Sequence, residues 1–413
     1  MKAAVYASRG RNSQRCLELL SVVIFVAQLS PSLCQGQTGP SNELAVQVEK
    51  TVEITTSSIN YCWYATVHRF STGEILATMR MSGDDANPEG EFSAYSISKD
   101  GGQTWSRRYT MGAGANVDAA YTQVTREDGT IWSLGAGYDS LEASPPGQAT
   151  EFHAVLTRFS LGGMEFDQIR DARIHLSEPA LSKPPTVMAT GRKDSTKLDA
   201  VYEANPWGAI VVGPGGEWLT TFYYMTEREP RQERLVLIRS TDQGRSWEED
   251  GTIATLQLSD TSSTWMGKDG PNEAALVRLS KDRLLCLFRT GSNDYMGEAW
   301  SADNGKTWTV PVSSGFKGVA PHLRLLSDGL LASTYGRPGP VTIMLSADEG
   351  KTWTNVTPIF DGMSTHYTDL IEVEPGKLLV VYDSTPYGPK AIPSSDTSSK
   401  NAIYGTFVEI RRR

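Results

Sequence analysis

Ser98-Lys-Asp-Gly-Gly-Gln-Thr-Trp105 is the first of four near-copies of one octapeptide, and this repeat decides the fold. In each copy the Asp can accept hydrogen bonds from backbone N–H groups further along the turn, and the Gly allows the positive φ that a tight hairpin needs. The Trp then anchors the turn against the next layer. The octapeptide is therefore predicted to be a hairpin, and its recurrence indicates a repeat architecture. The other copies are Ser240-Thr-Asp-Gln-Gly-Arg-Ser-Trp247, Ser301-Ala-Asp-Asn-Gly-Lys-Thr-Trp308 and Ser346-Ala-Asp-Glu-Gly-Lys-Thr-Trp353.

A second repeat alternates with the octapeptide: a short polar turn, in most copies with Gly, followed by an apolar strand. Its copies predict units with one strand before this turn, a second after it, a third that runs into the octapeptide and a fourth after the Trp. Four antiparallel strands repeated radially make an all-β fold, a six-bladed β-propeller, which hides most strand edges. The six copies are Thr72-Gly73-Glu-Ile-Leu-Ala77, Asp128-Gly129-Thr-Ile-Trp132, Gly215-Gly216-Glu-Trp-Leu219, Lys281-Asp282-Arg-Leu-Leu-Cys286, Asp328-Gly329-Leu-Leu-Ala332 and Pro375-Gly376-Lys-Leu-Leu-Val380.

The last unit lacks an octapeptide, and its final strand is expected from the other end of the chain. The segment from Leu44 to Ile54 alternates apolar and polar residues, as a half-buried strand does. We expect it to pair beside the strand at 402–410 and so to close the ring. Two long insertions rich in Pro, Gly and Ser, 135–151 and 178–197, are predicted to be rim or substrate loops on a rigid scaffold.

The N-terminal 36 residues have the pattern of an export signal. Four Lys or Arg residues precede a mostly apolar run from Leu17 to Leu29, which is too short to span a bilayer. We therefore expect residues 1–36 to be a signal peptide and residues 42–411 to be one propeller domain. The protein is expected to be secreted, either outside the cell or into the periplasm, and to be a monomer without an integral membrane span.

Charge and cysteine usage limit the partners that the sequence allows. The formal net charge is -9 and no basic stripe is present, which argues against a nucleic-acid partner. Cys62 and Cys286 fall on opposite sides of the predicted ring, so we expect both to be buried strand residues without a disulfide between them. The chain has no CxxC pair and no His cluster that would indicate a metal site. The sequence therefore predicts neither a metal nor a cofactor.

The octapeptide matches the Asp-box, and with four copies of it the chain resembles the sialidase (neuraminidase) superfamily of β-propellers. The resemblance implies an active site at the propeller axis that acts on a glycan with a terminal acidic sugar. In that family an arginine triad binds the substrate carboxylate, a tyrosine with a glutamate base is the nucleophile, and an aspartate is the acid/base. A tyrosine suits an anomeric carbon that carries a carboxylate, because a neutral phenol avoids charge repulsion.

Four residues of the later units match the family residue by residue. The stretch 270–289 is similar to the family's Asn-Glu-Pro strand and to the following strand, which ends in the second triad arginine. This implies Glu273 as the base and Arg289 as a carboxylate ligand. Arg337 ends a second strand in the same way and resembles the third arginine. Tyr367 opens the last unit, where the family has its nucleophile.

The first unit departs from the family pattern. Arg-Ile-Pro, with which the family begins this unit, does not occur in the chain, and alignment on the Gly73 turn puts Trp63 at the position of that arginine. Only Arg80 or Arg69 could supply a guanidinium from this unit. Loss of one arginine removes a charge-assisted contact worth about 1.5 to 3 kcal/mol. The substrate carboxylate would then be bound less tightly than in the family.

Three acidic residues complete the implied site. The loop that follows the second strand of the first unit offers Asp85 as the acid/base, with Asp84 close behind, although a solvated acidic loop explains both equally well. Asp383 ends a strand in Val-Val-Tyr-Asp, where the family often has a Glu that holds the first arginine. It is therefore implied to be part of the substrate-binding group.

Histidines allow a second interpretation of the site. His68, His322 and His366 lie in strands or turns near the expected axis, in a chain with only 5 His. As substrate contacts beside Tyr367 they could abstract a proton next to a uronate carboxylate, or they could be core residues. The predicted function is a secreted sialidase-like exo-glycosidase that hydrolyses a terminal acidic sugar. The alternatives are a polysaccharide lyase or hydrolase acting on a uronate-containing glycan, and a non-catalytic glycan-binding propeller.

Overall fold

The computed structural model describes residues 44–57, 62–81, 92–111, 122–136, 149–160, 167–180, 204–226, 232–257, 265–385 and 401–412. All of them belong to one unit of the chain, Glu43–Arg413. The predicted signal peptide, Asp84, Asp85 and most of both long insertions lie outside the described residues. The described residues contain strands and turns without an α-helix, and so none of them forms a helix with the length and apolarity that a membrane crossing requires.

The strands follow one another along the chain with short turns between most of them. They are β1 (Leu44–Ser57), β2 (Cys62–Arg69), β3 (Ile75–Met81), β4 (Phe92–Ser98), β5 (Tyr109–Thr110), β6 (Gln123–Thr125), β7 (Ile131–Ala136), β8 (Ala149–Phe159), β9 (Asp167–Ala180), β10 (Asn205–Val212), β11 (Trp218–Met225), β12 (Gln232–Ser240), β13 (Ser246–Gln257), β14 (Asn272–Arg278), β15 (Leu284–Arg289), β16 (Tyr295–Ser301), β17 (Val312–Lys317), β18 (Val319–Leu325), β19 (Leu331–Gly336), β20 (Val341–Ser346), β21 (Thr354–Phe360), β22 (Thr368–Glu374), β23 (Lys377–Asp383) and β24 (Asn401–Arg412).

These strands form antiparallel meanders of four, as the sequence predicted. Three sheets have the orders β2-β3-β4-β5, β14-β15-β16-β17 and β18-β19-β20-β21. An eight-stranded sheet has the order β10-β11-β12-β13-β9-β8-β7-β6 and contains a parallel contact between β13 and β9 at Ser246–Glu248. The remaining sheet has the order β1-β24-β23-β22, with β1 paired to β24 from Leu44 opposite Arg412 to Ser57 opposite Asn401. The prediction that the N-terminal strand completes the last sheet is confirmed.

The four octapeptides share the hydrogen bonds of the Ser and Asp side chains to the turn, and in the first three copies the Trp indole also donates to the Gly carbonyl, whereas Trp353 donates to Glu298. In the copy at 301–308 the Gly305 amide donates to Ser301 Oγ at 2.8 Å, and the Thr307 amide donates to Asp303 Oδ1 at 2.9 Å. The Trp308 indole closes the turn on the Gly305 carbonyl at 2.9 Å, and Gly305 has a φ of +94°. Because the carboxylate satisfies the backbone donors and the glycine accepts the left-handed conformation, the turn is specified by its own sequence. The hairpin prediction is confirmed.

The first strands of neighbouring sheets pack on one another. β14 contacts β10 and β18, and β22 contacts β18 and β2. Near its start, each of four first strands carries a β-bulge whose register shift includes a residue with positive φ: Tyr64, Gly208, Glu273 and Ala320. A bulge re-aims the side chains beside it and often lies next to a functional site. The bulges therefore mark one end of the first strands as the place to look for a site.

The core lies between adjacent sheets. Its largest fully buried side chains include Trp247, Tyr224 and Phe288, which come from different strands. Cys62 in β2 and Cys286 in β15 are buried strand residues, as predicted, and neither forms a disulfide. Packing of this kind makes the inner strands a rigid support for the side chains at their ends.

Candidate active site

A tyrosine and a glutamate meet at the bulged end of the first strands. Tyr367 immediately precedes β22, and its hydroxyl donates to Glu273 Oε1 in β14 at 2.6 Å. Both side chains are buried, with residue exposures of 6% for Tyr367 and 7% for Glu273. Burial and the Glu273 charge raise the pKa of Tyr367 well above its usual value. The phenol therefore remains neutral and presents its proton to a carboxylate.

Arg289 lies on the other side of Glu273. It is the last residue of β15, directly opposite Asn272 in β14, so the hairpin register brings it beside the glutamate. Its Nη1 lies 2.8 Å from Glu273 Oε1, and its Nη2 donates to Asp269 Oδ2 at 3.1 Å and to Ser292 Oγ at 3.2 Å. Burial opposes the charge of Arg289, but the charge and hydrogen bond of Glu273, together with Tyr367 and Asp269, outweigh it and raise the arginine pKa. The guanidinium is therefore a permanent cation in the site.

Arg337 supplies a second cation and two aromatic rings form a wall. Arg337 follows β19, is buried, and holds its guanidinium carbon 5.5 Å from the centroid of the Tyr367 ring. Tyr64 meets Tyr367 edge to face, with ring centroids 4.4 Å apart and planes at 77°. Trp207 packs at 6.0 Å and 60° from the same ring. Tyr367 is thus enclosed by two aromatic rings and lies within reach of two guanidinium groups.

Asp383 holds the chain that leads into Tyr367. This carboxylate ends β23 and is fully buried. It accepts hydrogen bonds from the Thr365 amide at 2.9 Å, from the Thr365 hydroxyl, and from the Thr385 amide at 2.9 Å. Burial raises the pKa of Asp383 to about 6, although these bonds and the Arg337 charge oppose the shift. The sequence implied that Asp383 would hold an arginine, whereas its hydrogen bonds in the structure go to the turn before the nucleophile candidate.

Two of the three candidate histidines gather around a different aspartate. His322 Nδ1 lies 2.8 Å from Asp369 Oδ1, and His68 Nε2 lies 3.9 Å from Asp369 Oδ2. Burial lowers the pKa of His68 to about 3 despite the Asp369 charge, so its imidazole is neutral. His366 instead lies next to Gly336 and Arg337, and burial together with the Arg337 charge lowers its pKa to about 4. In the structure, His68 and His366 are therefore neutral, and His322 is bound to the Asp369 carboxylate.

The first unit presents aromatic side chains where the family pattern has an arginine. Trp63 is paired across the sheet with Arg80, whose guanidinium carbon lies 5.9 Å from the Trp63 ring. Trp63 packs on Tyr64 at 5.4 Å, and Tyr64 is the ring that reaches Tyr367. Arg69 donates to the Val373 carbonyl at 2.7 Å. Since Val373 lies six residues beyond Tyr367 on an extended strand, Arg69 is at the far end of the first strands.

Four residues of this region were not among the sequence candidates: Tyr64, Trp207, Asp269 and Asp369. Tyr64 occupies, and Trp207 directly precedes, a bulge near the start of a first strand, a feature that only the structure reveals. Asp269 and Asp369 carry no motif of their own. Asp84 and Asp85, the predicted acid/base candidates, lie outside the described residues. The residues that the structure does describe contain no group of His, Cys, Asp and Glu arranged to hold a metal ion.

Comparisons with known proteins agree with the repeat. The BNR repeat-like domain family matches residues 208–380, and the BNR/Asp-box repeat family matches residues 96–107. No curated protein matches the chain significantly in sequence.

Several solved structures share the fold. A Dyadobacter fermentans protein of unknown function is 21% identical at a TM-score of 0.64, over 89% of this chain and 99% of that one. Trypanosoma rangeli sialidase in complex with the inhibitor DANA is 14% identical at a TM-score of 0.54, over 87% of this chain and 59% of that one. Penicillium chrysogenum α-L-arabinanase, complexed with arabinobiose, is 16% identical at a TM-score of 0.54, over 88% and 98%.

At these identities the structural likeness concerns the fold. The repeats, the sheets and the neighbours together define a β-propeller-like protein whose fold is that of glycoside hydrolases. More narrowly, the matches at 208–380 and 96–107 show that the chain contains BNR/Asp-box repeats, and together with the sialidase and arabinanase neighbours they support a sialidase-like BNR assignment.

Proposed function

We propose that the protein is a sialidase-like exo-glycosidase that hydrolyses a terminal acidic sugar and retains the anomeric configuration. The observation that carries the proposal is the 2.6 Å hydrogen bond from the Tyr367 hydroxyl to Glu273, beside the cations Arg289 and Arg337. A buried phenol bonded to a carboxylate is a nucleophile next to its base. Two cations at the same point favour a substrate with a negative charge near the reacting carbon.

The proposed reaction has two steps. In the first, the Tyr367 oxygen forms a bond to the anomeric carbon, its proton passes to Glu273, and the bond to the leaving-group oxygen breaks. In the second, water displaces the tyrosine oxygen, which recovers the proton from Glu273. Asp85 or Asp84 is proposed to protonate the leaving group and then to deprotonate the water. Arg289 and Arg337 hold the carboxylate of the sugar throughout.

The proposal includes the architecture and the location of the protein. The eight-stranded sheet divides into the meanders β6 to β9 and β10 to β13, joined by the short parallel contact. Counting each meander as one blade gives a six-bladed propeller over residues 42–411, with β1 completing the last blade. The export pattern of residues 1–36 supports secretion.

A direct test is release of free sugar from a chromogenic α-sialoside by the purified protein. We expect Tyr367→Phe to lower kcat/KM by on the order of 10³-fold, because the nucleophilic oxygen is lost. Tyr382→Phe is the matched control, since this buried tyrosine of the same sheet donates to or accepts from Thr406 at 2.8 Å and belongs to no part of the site. Absence of release by the wild type would refute the proposal, and an assay for unsaturated products from a uronate glycan would then test the lyase alternative.

A further inference from the structure

We propose that two fully buried carboxylates, Asp383 and Asp369, bracket Tyr367 and act as positioning residues for its attack. The inference rests on the proposed function, because the role of both carboxylates is to place the nucleophile. Asp383 fixes the residue two positions before Tyr367, and Asp369 is itself the residue two positions after it. Neither carboxylate is needed in the reaction as a base, an acid or a substrate contact.

The Asp383 contacts hold the entry to Tyr367. The segment 364–367 is not part of a strand, so no ladder of backbone hydrogen bonds fixes it. Instead, Asp383 binds both the amide and the hydroxyl of Thr365. The same carboxylate accepts the Thr385 amide, and the Thr385 hydroxyl donates to the Cys62 carbonyl in β2 at 2.9 Å. The turn before the nucleophile is thereby tied to the neighbouring first strand.

The Asp369 contacts hold the exit from Tyr367. Residues two apart on an extended chain point to the same side, so Asp369 faces the ring interior below Tyr367. Its Oδ2 accepts the Val67 amide of β2 at 2.9 Å, and its Oδ1 lies 2.8 Å from His322 Nδ1 of β18. One side chain of β22 thus joins the first strands of both adjacent sheets. Burial opposes the charge of Asp369, but its charged and hydrogen-bonded partners, led by His322, outweigh burial and lower the pKa of Asp369 to about 2, so the carboxylate stays charged.

The geometry of Tyr367 explains why such support is needed. His366, directly before it, has a φ of +66°, a conformation that non-glycine residues adopt only when surrounding contacts enforce it. The hydroxyl must nevertheless stay 2.6 Å from Glu273, which comes from a different sheet. A displacement of about 1 Å in such a site can lower the rate on the order of 100-fold. We expect loss of either carboxylate to permit a displacement of that size, because the remaining contacts hold the Tyr367 ring and Thr368 but not the turn before them.

The test separates positioning from a general loss of stability. Asp369→Ala is expected to lower kcat on an α-sialoside by about 10- to 100-fold while KM changes less than about threefold. Asp369→Asn, whose amide oxygen can still accept the Val67 amide, should recover at least about tenfold of that loss. Glu298→Ala is the matched control, because Glu298 is a buried carboxylate in β16 that contacts Trp353 and lies outside the site. The proposal is overturned if kcat falls equally in the control, or if Asp369→Ala leaves kcat unchanged.

Hydrogen–deuterium exchange distinguishes failure of this inference from failure of the proposed function. Amides at 364–368 should exchange about tenfold faster in Asp369→Ala than in the wild type, while Glu298→Ala leaves them unchanged. If the wild type cleaves no sialoside, faster exchange at 364–368 still supports the two-sided attachment of Tyr367. Unchanged exchange overturns it, whatever the substrate.

Discussion

Replacement of Glu273 by Gln tests both the chemistry and the electrostatics of the site. Glu273 Oε1 is shared between the Tyr367 hydroxyl at 2.6 Å and Arg289 Nη1 at 2.8 Å. Glutamine has nearly the same shape and its carbonyl oxygen can accept the phenol hydrogen bond. It carries no charge and cannot take the tyrosine proton. Any change in the variant therefore comes from charge and basicity and not from packing.

The expected loss of stability depends on the contacts that Arg289 keeps when Glu273 loses its charge. Removing one partner of a buried ion pair costs about 3 to 5 kcal/mol when the remaining charge is left alone. Arg289 keeps its contacts with Asp269, which is half-exposed, and with Ser292, so we expect a loss of roughly 1 to 3 kcal/mol in the free energy of unfolding. Loss of a general base lowers the rate by about 10² to 10⁴-fold. The loss of kcat should therefore far exceed what partial unfolding can explain.

The measurements are urea unfolding and kcat on an α-sialoside under conditions where the variant is fully folded. Glu298→Gln is the control, because burial raises the pKa of Glu298 to about 7 and a neutral side chain there should be tolerated. Activity of Glu273→Gln within about threefold of the wild type would refute the assignment of Glu273 as the base. Unchanged stability would refute the importance of the ion pair.

Two further predictions concern the turns and the pH dependence of stability. Asp303→Ala removes the acceptor of the Thr307 amide and should lower the free energy of unfolding, measured in urea, by about 1 to 2 kcal/mol. The control is Asp361→Ala at an exposed position, which should change this free energy by less than about 0.5 kcal/mol. Equal effects of the two substitutions would contradict the role of the octapeptide. Burial raises the pKa of Asp383 from 3.8 to about 6, so its contribution to stability is complete below the unfolded pKa and is lost as pH rises through 6. In Asp383→Asn, the free energy of unfolding should therefore depend less steeply on pH between 3.8 and about 6 than in the wild type. An unchanged slope would argue against the titration of Asp383 in this range.

The fold was predictable because its signals are local. The octapeptide satisfies its own backbone donors, so four short stretches specify four hairpins without reference to the rest of the chain. The closing strand was predictable for a similar reason, since the alternation from Leu44 to Ile54 has the period of a strand with one buried side. The sequence did not predict that β6 to β13 form one eight-stranded sheet, because the parallel contact between β13 and β9 depends on long-range packing.

The site was predictable only in part because bulges change the register. Glu273, Arg289, Arg337 and Tyr367 lie at strand starts or ends, and the structure brings these four together. In the first unit, alignment on the turn selected Trp63. The bulge between Trp63 and Thr66 adds one residue to β2, and a shift of one residue moves each side chain to the opposite face of the sheet. The residue at the positive-φ position equivalent to Glu273 is consequently Tyr64.

The identity of that neighbour affects how Tyr367 can react. An arginine at the position of Tyr64 would stabilise a tyrosinate, whereas the phenol of Tyr64 adds to the effects of burial and of Glu273 that raise the pKa of Tyr367. In the proposed reaction, free tyrosinate is therefore costly to form ahead of the attack, and we expect the proton to pass to Glu273 while the bond to the sugar forms. The short Tyr367–Glu273 hydrogen bond and the attachment of the segment 365–369 on both sides fit this proposal, because concerted transfer tolerates little displacement between donor and acceptor. The aromatic wall and the two buried aspartates are, in this view, parts of one arrangement that keeps a neutral nucleophile in place.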